Sequence, residues 1–172
     1  PMNPILPHKH FIPDVEARVW KDGRIYLYGS MDIQGYDDYC SYDYHVFSSS
    51  DLLEWKDHGK SFSSHPKDGQ IPWDNKSHHA IFAPDCIFAN GKYHLCFCLS
   101  DGSEGIAVSE NPGGPFKDAW LVKGVEKDGI DTAILLDDDG TLVYYWGQFN
   151  ARVAKMLPDL SGIDPTTANR SL

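Results

Sequence analysis

Three aspartates, Asp14, Asp85 and Asp131, open three segments of one layout: PDVEARVWKDGRIYLYGS (13–30), PDCIFANGKYHLCFCLS (84–100) and IDTAILLDDDGTLVYYWG (130–147). In each, the aspartate precedes an apolar run, a tight turn at KDG, ANG or DDDG, and a second run rich in tyrosine or other aromatics. If these segments surround a common centre, their leading carboxylates meet in one cavity. Carboxylates gathered in a cleft repel one another, which raises some of their pKa values and suits them to general acid and base work. Hydrolysis of a glycosidic bond is the reaction built on such sets. An aspartate ahead of a strand also caps turns through its own side chain, and spacing alone leaves both readings open.

The elements that would carry these residues are strands. Apolar residues alternate or cluster in short runs such as RIYLYGS, YHVFSSS, GIAVS and TLVYYWG, each bounded by Gly, Pro, Asp, Asn or Ser, and the chain is predicted to be all-β. The glycine of each turn supplies the positive φ that a short hairpin demands. Every hairpin is followed by a further strand and a polar return. A repeat of about 40 to 50 residues with four strands per unit is the signature of a β-propeller, here with about three blades near 10–62, 79–123 and 128–165. A polar loop near 63–80 takes up the longer first interval. Its Trp73-Asp74 pair lies outside any strand end and lends little support to an interaction propeller of the WD type. Propellers close with about four to eight blades, and an open fan leaves unpaired flanks. The chain is therefore expected to be the N-terminal portion of a single longer propeller domain, its ring completed by C-terminal blades or by self-association.

Composition narrows the partners. With 25 acidic against 15 basic residues the formal charge is -10, and no cluster of lysine or arginine offers the patch that phosphate backbones need, so nucleic acid and anionic membrane are not expected partners. No run of 18 apolar residues exists, and the opening PMNPILPHKH lacks the layout of a signal peptide. Cys40, Cys86, Cys96 and Cys98 form no CxxC pair and are expected to be free buried thiols. Free thiols tilt the expected compartment to the cytoplasm, with a secreted or periplasmic protein shorn of its leader as the alternative. A zinc site is not expected, because His94 is the single histidine near these cysteines. Aromatics make up 13% of the chain; their flat faces suit sugar rings, and strands favour them in any case.

The segments IPDVEARVW, SSSDLLEWKDHG, IFAPD, NPGGPFKD and GIDTAILLDDDGTLVYYWG, in their order along residues 3 to 164, together resemble glycoside hydrolase family 43, the five-bladed arabinanase, α-L-arabinofuranosidase and β-xylosidase group. The resemblance implies an inverting glycosidase that removes arabinofuranosyl or xylosyl units from neutral, plant-derived oligosaccharides or polysaccharides. It makes Asp14 the general base that deprotonates the attacking water, and Asp131 an ionised partner that tunes and orients the general acid. The family's Trp-Ala-Pro-Asp is here Phe82-Ala83-Pro84-Asp85, which keeps an aromatic wall for a sugar but loses the indole N–H. Asp85 is assigned to holding the strand top or the sugar site rather than to proton transfer. Gln148 and Phe149, with Arg152 beside them, are the further candidates for lining the site.

The family's acid is a glutamate of the fourth blade. Glu16, Glu54, Glu104, Glu110 and Glu126 occupy other parts of the repeat, so this chain alone is expected not to turn over. Glu16, two residues from Asp14, is expected to be ion-paired, with Arg18 the nearest candidate. Asp137–Asp139 in LDDDG lack the spaced ligands of a calcium loop and are expected to form a solvated turn. His78 and His79, ahead of the second hairpin, are read as loop histidines. No cofactor is required by the resemblance. Some members hold a structural calcium ion on the propeller axis, for which no ligands stand out here. Two other readings remain: a propeller that binds carbohydrate without cleaving it, and one whose aromatic top face binds a protein.

Overall fold

A computed structural model describes residues 4–73, 79–125 and 129–168; Asp74, His78 and Glu126 lie outside them. The described residues form strands and no helix. β1 (Glu16–Val19), β2 (Ile25–Gly29), β3 (Asp43–Ser49) and β4 (Lys56–Ser63) make one antiparallel sheet in chain order, and β5 (Asp85–Ala89), β6 (Lys92–Cys98), β7 (Glu104–Ser109) and β8 (Lys117–Leu121) make a second. The third sheet has three strands among the described residues, β9 (Ala133–Leu136), β10 (Leu142–Trp146) and β11 (Arg152–Lys155), where the repeat led us to expect four. These are three blades of a β-propeller, with β5 lying against β1 on one side and β9 on the other.

Local chemistry sets the hairpins. Ala89 pairs with Lys92 across Asn90 and Gly91, whose φ values of 50° and 78° are the two positive angles that a two-residue hairpin turn requires. The first and third hairpins turn through five-residue links, each with a glycine of positive φ near its end, Gly23 and Gly140. With these turns at one end, antiparallel pairing places the starts of β1, β5 and β9 at the other. There they meet the loops that follow β2, β6 and β10.

Burial explains the sequence pattern of the middle blade. Its two faces serve two cores: Leu95 and Phe97 of β6 join Tyr28, Tyr44, Phe62 and Phe116 between the first and second blades, while Cys96 joins Ile106, Ile134, Tyr144 and Leu160 between the second and third. A strand covered on both faces has no polar side to show, so YHLCFCLS runs nearly unbroken in apolar residues. All four cysteines are buried and free. The connector read from sequence as a polar loop is pinned instead: Ile71 is buried, the Trp73 ring stacks on Phe97 at 6.2 Å, and Gln70 accepts from the Ser63 N–H at 2.8 Å and donates to the Phe116 carbonyl at 2.9 Å.

One buried carboxylate ties the three inner strands. Asp85, at the head of β5, receives Arg18 Nη2 of β1 at 2.7 Å and its neighbour's Cys86 N–H at 2.6 Å on Oδ1, and the Ile134 N–H of β9 at 2.9 Å on Oδ2. Arg18 also pairs with Glu16 at 3.3 Å, as expected for that glutamate. Removing Asp85 leaves the buried Ile134 N–H without its acceptor and half-buried Arg18 with Glu16 alone, at a cost of about 3 kcal/mol. Asp85→Ala is accordingly expected to lower the unfolding free energy in urea by about that amount. A loss under about 1 kcal/mol would show that apolar packing alone holds the junction.

Candidate active site

Asp14 and Asp131 each stand two residues ahead of an inner strand, with φ of 52° and 56°. The left-handed region is uncommon outside glycine, and aspartate is among the few residues that enter it readily. The two positions are therefore equivalent in backbone as well as in sequence. Asp85 is not: it is the first residue of β5, the place that Glu16 and Ala133 hold in β1 and β9, and the residue two ahead of that strand is Ala83. The three aspartates thus do not occupy one place in the repeat, a correction of two residues that the turn lengths conceal in the sequence. Both oxygens of Asp85 are taken up by the protein itself.

The segment that carries Asp14 lies across the end of β2. Ser30 Oγ donates to the Pro13 carbonyl at 3.3 Å, and a Cβ at Gly29 would stand 2.4 Å from Ile12 Cγ2, so only glycine lets residues 12 to 15 lie this close. Buried Cys40 and Tyr44 stand close enough to feel Asp14's charge. Tyr44 donates its hydroxyl to the Phe82 carbonyl, and Phe82 N–H donates to the Cys98 carbonyl at 3.0 Å. Half-buried Phe82 is thereby set between the loops of the first and second blades at the same end.

Asp131 comes to this end from the third blade. Its carboxyl is raised above the ordinary aspartate range, first by partial desolvation and then by the charge of Asp14. Two carboxylates distant in sequence thus act on one another across a common space. The Gly147 N–H donates to the Ile130 carbonyl at 2.8 Å and holds the loop after β10 beside Asp131. Ile130, Gly147, Gln148, Phe149, Asn150 and Arg152 line a shallow hollow of about 340 Å³ there. Gln148 is exposed, and Phe149 is 98% exposed and available to a ring laid against it. His79 joins this end through Nδ1, 3.2 Å from Ser100 Oγ.

Sequence reasoning assigned Glu104 no role beyond standing in another part of the repeat from the family's acid. This residue opens β7 and is wholly buried; Tyr144 donates to its Oε2, and Thr132 Oγ1 lies 2.5 Å from the Tyr144 hydroxyl. Burial above all pushes the Glu104 carboxyl up to about 8; the Tyr144 and Thr132 hydrogen bonds oppose this, and Asp131's charge adds to it. The one hint in the sequence is a glutamate heading the apolar run GIAV. At the opposite end Asp137–Asp139 form the expected turn: Gly140 N–H donates to the Asp137 carbonyl and Thr141 N–H to Asp139 Oδ1. Among the described residues no group of three or more His, Cys, Asp or Glu side chains is placed to hold a metal ion, so they supply no calcium site of that kind. No helix among them is long and apolar enough to cross a membrane.

The repulsion has a sign that can be measured. A carboxyl whose folded-state pKa is raised contributes stability that is present below its unfolded pKa and lost as pH rises through the folded value. Asp14→Asn removes one charge of the pair. It is therefore expected to raise the melting temperature at about pH 7 and to leave it unchanged at about pH 3, where Asp131 is protonated in either protein. Equal melting temperatures at both pH values would show that the two carboxylates do not share a space.

The sequence model described as Glycosyl hydrolases family 43 matches residues 1–168. A xylosidase/arabinosidase 43A of Humicola insolens is 38% identical over 152 residues, which span 80% of this chain and 43% of that protein. An arabinoxylan arabinofuranohydrolase of Bacillus subtilis is 26% identical over 94% of this chain and 39% of its own length. Among solved structures, a family 43 β-xylosidase/α-arabinofuranosidase from a compost microbial metagenome, in complex with xylotriose and in a calcium-free form, superposes with a TM-score of 0.79 at 28% identity, covering 98% of this chain and 61% of that one. A Xanthomonas citri enzyme of the same family, complexed with xylose, gives 0.79 at 26% identity over 96% and 56%. The chain spans less than half the length of these curated relatives.

Proposed function

The chain belongs to glycosyl hydrolase family 43, and on that premise we propose that the protein carrying it removes arabinofuranosyl or xylosyl units from plant-derived oligosaccharides or polysaccharides by hydrolysis with inversion. The observation that carries this reading is the pairing of Asp14 and Asp131, both in the left-handed conformation at one end of the propeller and coupled through their charges.

In the proposed mechanism Asp14, reaching solvent, takes a proton from a water molecule as that water attacks the anomeric carbon on the face opposite the leaving group. Asp131, from the neighbouring space, holds negative charge that orients the acid and raises its proton affinity. Inversion needs that acid about 6.5 to 9.5 Å from the base, with room for the water between. The resemblance places the acid on a glutamate of a blade following these three in a five-bladed ring, and Glu104, sealed inside the protein, is not a substitute. Phe82 forms an aromatic wall, while Gln148 and Phe149 border the sugar on the third-blade side. Asp85 serves by holding the strands that carry the two aspartates. Support for a carbohydrate substrate comes from the xylose and xylotriose named in the similar structures. The acidic balance of the chain suits a neutral sugar better than a polyanion.

General-base catalysis contributes about 100-fold or more to a rate. Asp14→Asn in the full-length protein is expected to lower kcat on nitrophenyl arabinofuranoside or xyloside by at least that factor while the circular dichroism spectrum is retained. An unchanged rate would overturn the assignment of the base. Binding of xylo-oligosaccharides by an unmodified protein that turns over neither glycoside would favour a carbohydrate-binding propeller instead.

A further inference from the structure

The buried carboxyl of Glu104 has no part in the mechanism above, yet it lies directly under the segment that carries Asp131. We propose that Glu104 is a positioning residue for Asp131, seating residues 129 to 132 through the chain of hydrogen bonds that runs from its carboxyl through Tyr144 to Thr132. This rests on the hydrolase reading only for its kinetic consequence.

Contacts on both sides of Asp131 define the seat. After it, Thr132 Oγ1 reaches the Tyr144 hydroxyl at 2.5 Å, and that hydroxyl donates to Glu104 Oε2. Before it, Gly129 lies on the glutamate side chain so closely that a Cβ would stand 2.5 Å from Glu104 Cγ and 2.6 Å from Oε1. The Gly129 N–H also donates at 3.0 Å to the carbonyl of Gly102, just ahead of β7. Glu104 is itself fixed, since its own carbonyl accepts the Val122 N–H at 2.9 Å and it pairs with Cys98 across β6 and β7. The segment carrying Asp131 is therefore gripped from either side of the aspartate by one strand end, and an exposed residue in an uncommon backbone conformation is given a defined direction.

The state of the carboxyl matters to the seat. Glu104 Oε1 is buried without a hydrogen-bond partner, a place where an ionised oxygen is costly and a neutral one far less so. The titratable groups that face it are Asp131, Tyr144, Cys96 and Cys98; burial raises both thiols and the phenol, which leaves Asp131 as the one that brings a charge. Below about pH 8 the glutamate keeps its proton, and Asp131 is held without a second negative charge beneath it.

The test uses the full-length protein with Glu104→Ala and Glu104→Gln, read by steady-state kinetics on nitrophenyl arabinofuranoside or xyloside and by the carbon-13 NMR titration of the Asp131 carboxyl. Glu104→Ala is expected to lower kcat about tenfold or more with KM changed less than about threefold, because a misplaced group costs the chemical step rather than binding. Glu104→Gln, which keeps an acceptor for Tyr144 and adds no charge, is expected to bring kcat back to within about threefold of the parent. The Asp131 carboxyl signal is expected to move in Glu104→Ala and to return to its parental position in Glu104→Gln, which keeps the chain to Thr132. Parental kinetics in Glu104→Ala, or an Asp131 signal that Glu104→Ala leaves at its parental position, would overturn the proposal. If the parent turns over no glycoside, the hydrolase reading fails while the Asp131 signal still decides the seat. If Glu104→Ala does not fold, Tyr144→Phe, which breaks the link between Glu104 and Thr132, takes its place in the same measurements.

Discussion

The carboxylate of Asp85 is the contact on which the rest of this geometry depends. Two apolar cores press the blades together, but apolar burial has little direction and would tolerate one blade sliding on the next. Hydrogen bonds do not tolerate such a slide. By taking Arg18 from β1 and the Ile134 N–H from β9, Asp85 sets the offsets of both neighbours against β5. The heads of β1 and β9 are where Asp14 and Asp131 sit, so the same contact determines how the two exposed carboxylates face one another. A carboxylate sealed inside the protein thereby sets the placement of two that reach solvent.

Around this frame the carboxyl groups are separated by environment rather than by type. Asp14 and Asp131 reach solvent at the loop end and repel each other, which is part of the disposition that acid and base chemistry uses. Glu104 is sealed below them, pushed towards neutrality by burial, and bound through Tyr144 to the residue beside Asp131. Environments that drive titratable groups apart suit them to different work: the exposed pair is open to solvent, and the buried acid is tied to the backbone beside Asp131.

The middle blade shows how packing writes itself into a sequence. Covered on both faces, it reads as nearly continuous apolar residues in β6, whereas β9 of the third blade leaves Leu135 and Leu136 46% and 43% exposed. Most polar groups that this burial takes in find a partner, and the serines around the end of β4 do so. Ser61 Oγ donates to the Gly113 carbonyl at 2.9 Å, and Ser64 Oγ to the His79 carbonyl at 2.7 Å, joining the first blade to the second.

What the sequence by itself determined was the local part: short apolar runs, the Asn90-Gly91 turn, and two aspartates two residues ahead of an inner strand. Each of these depends on backbone angles and on neighbours a few positions away. The family resemblance was legible for the same reason, since its motifs are contiguous. Only the tertiary structure decided that Asp85 is two residues out of step with the other two aspartates and wholly engaged, because its partners Arg18 and Ile134 come from other blades. It alone drew Ile71 and Trp73 out of a polar stretch into contact with the core, and it alone joined Glu104 to Tyr144 and Thr132 across two blades. The chemistry of a buried polar group is set by what folds against it, and that lies outside any stretch of sequence read on its own.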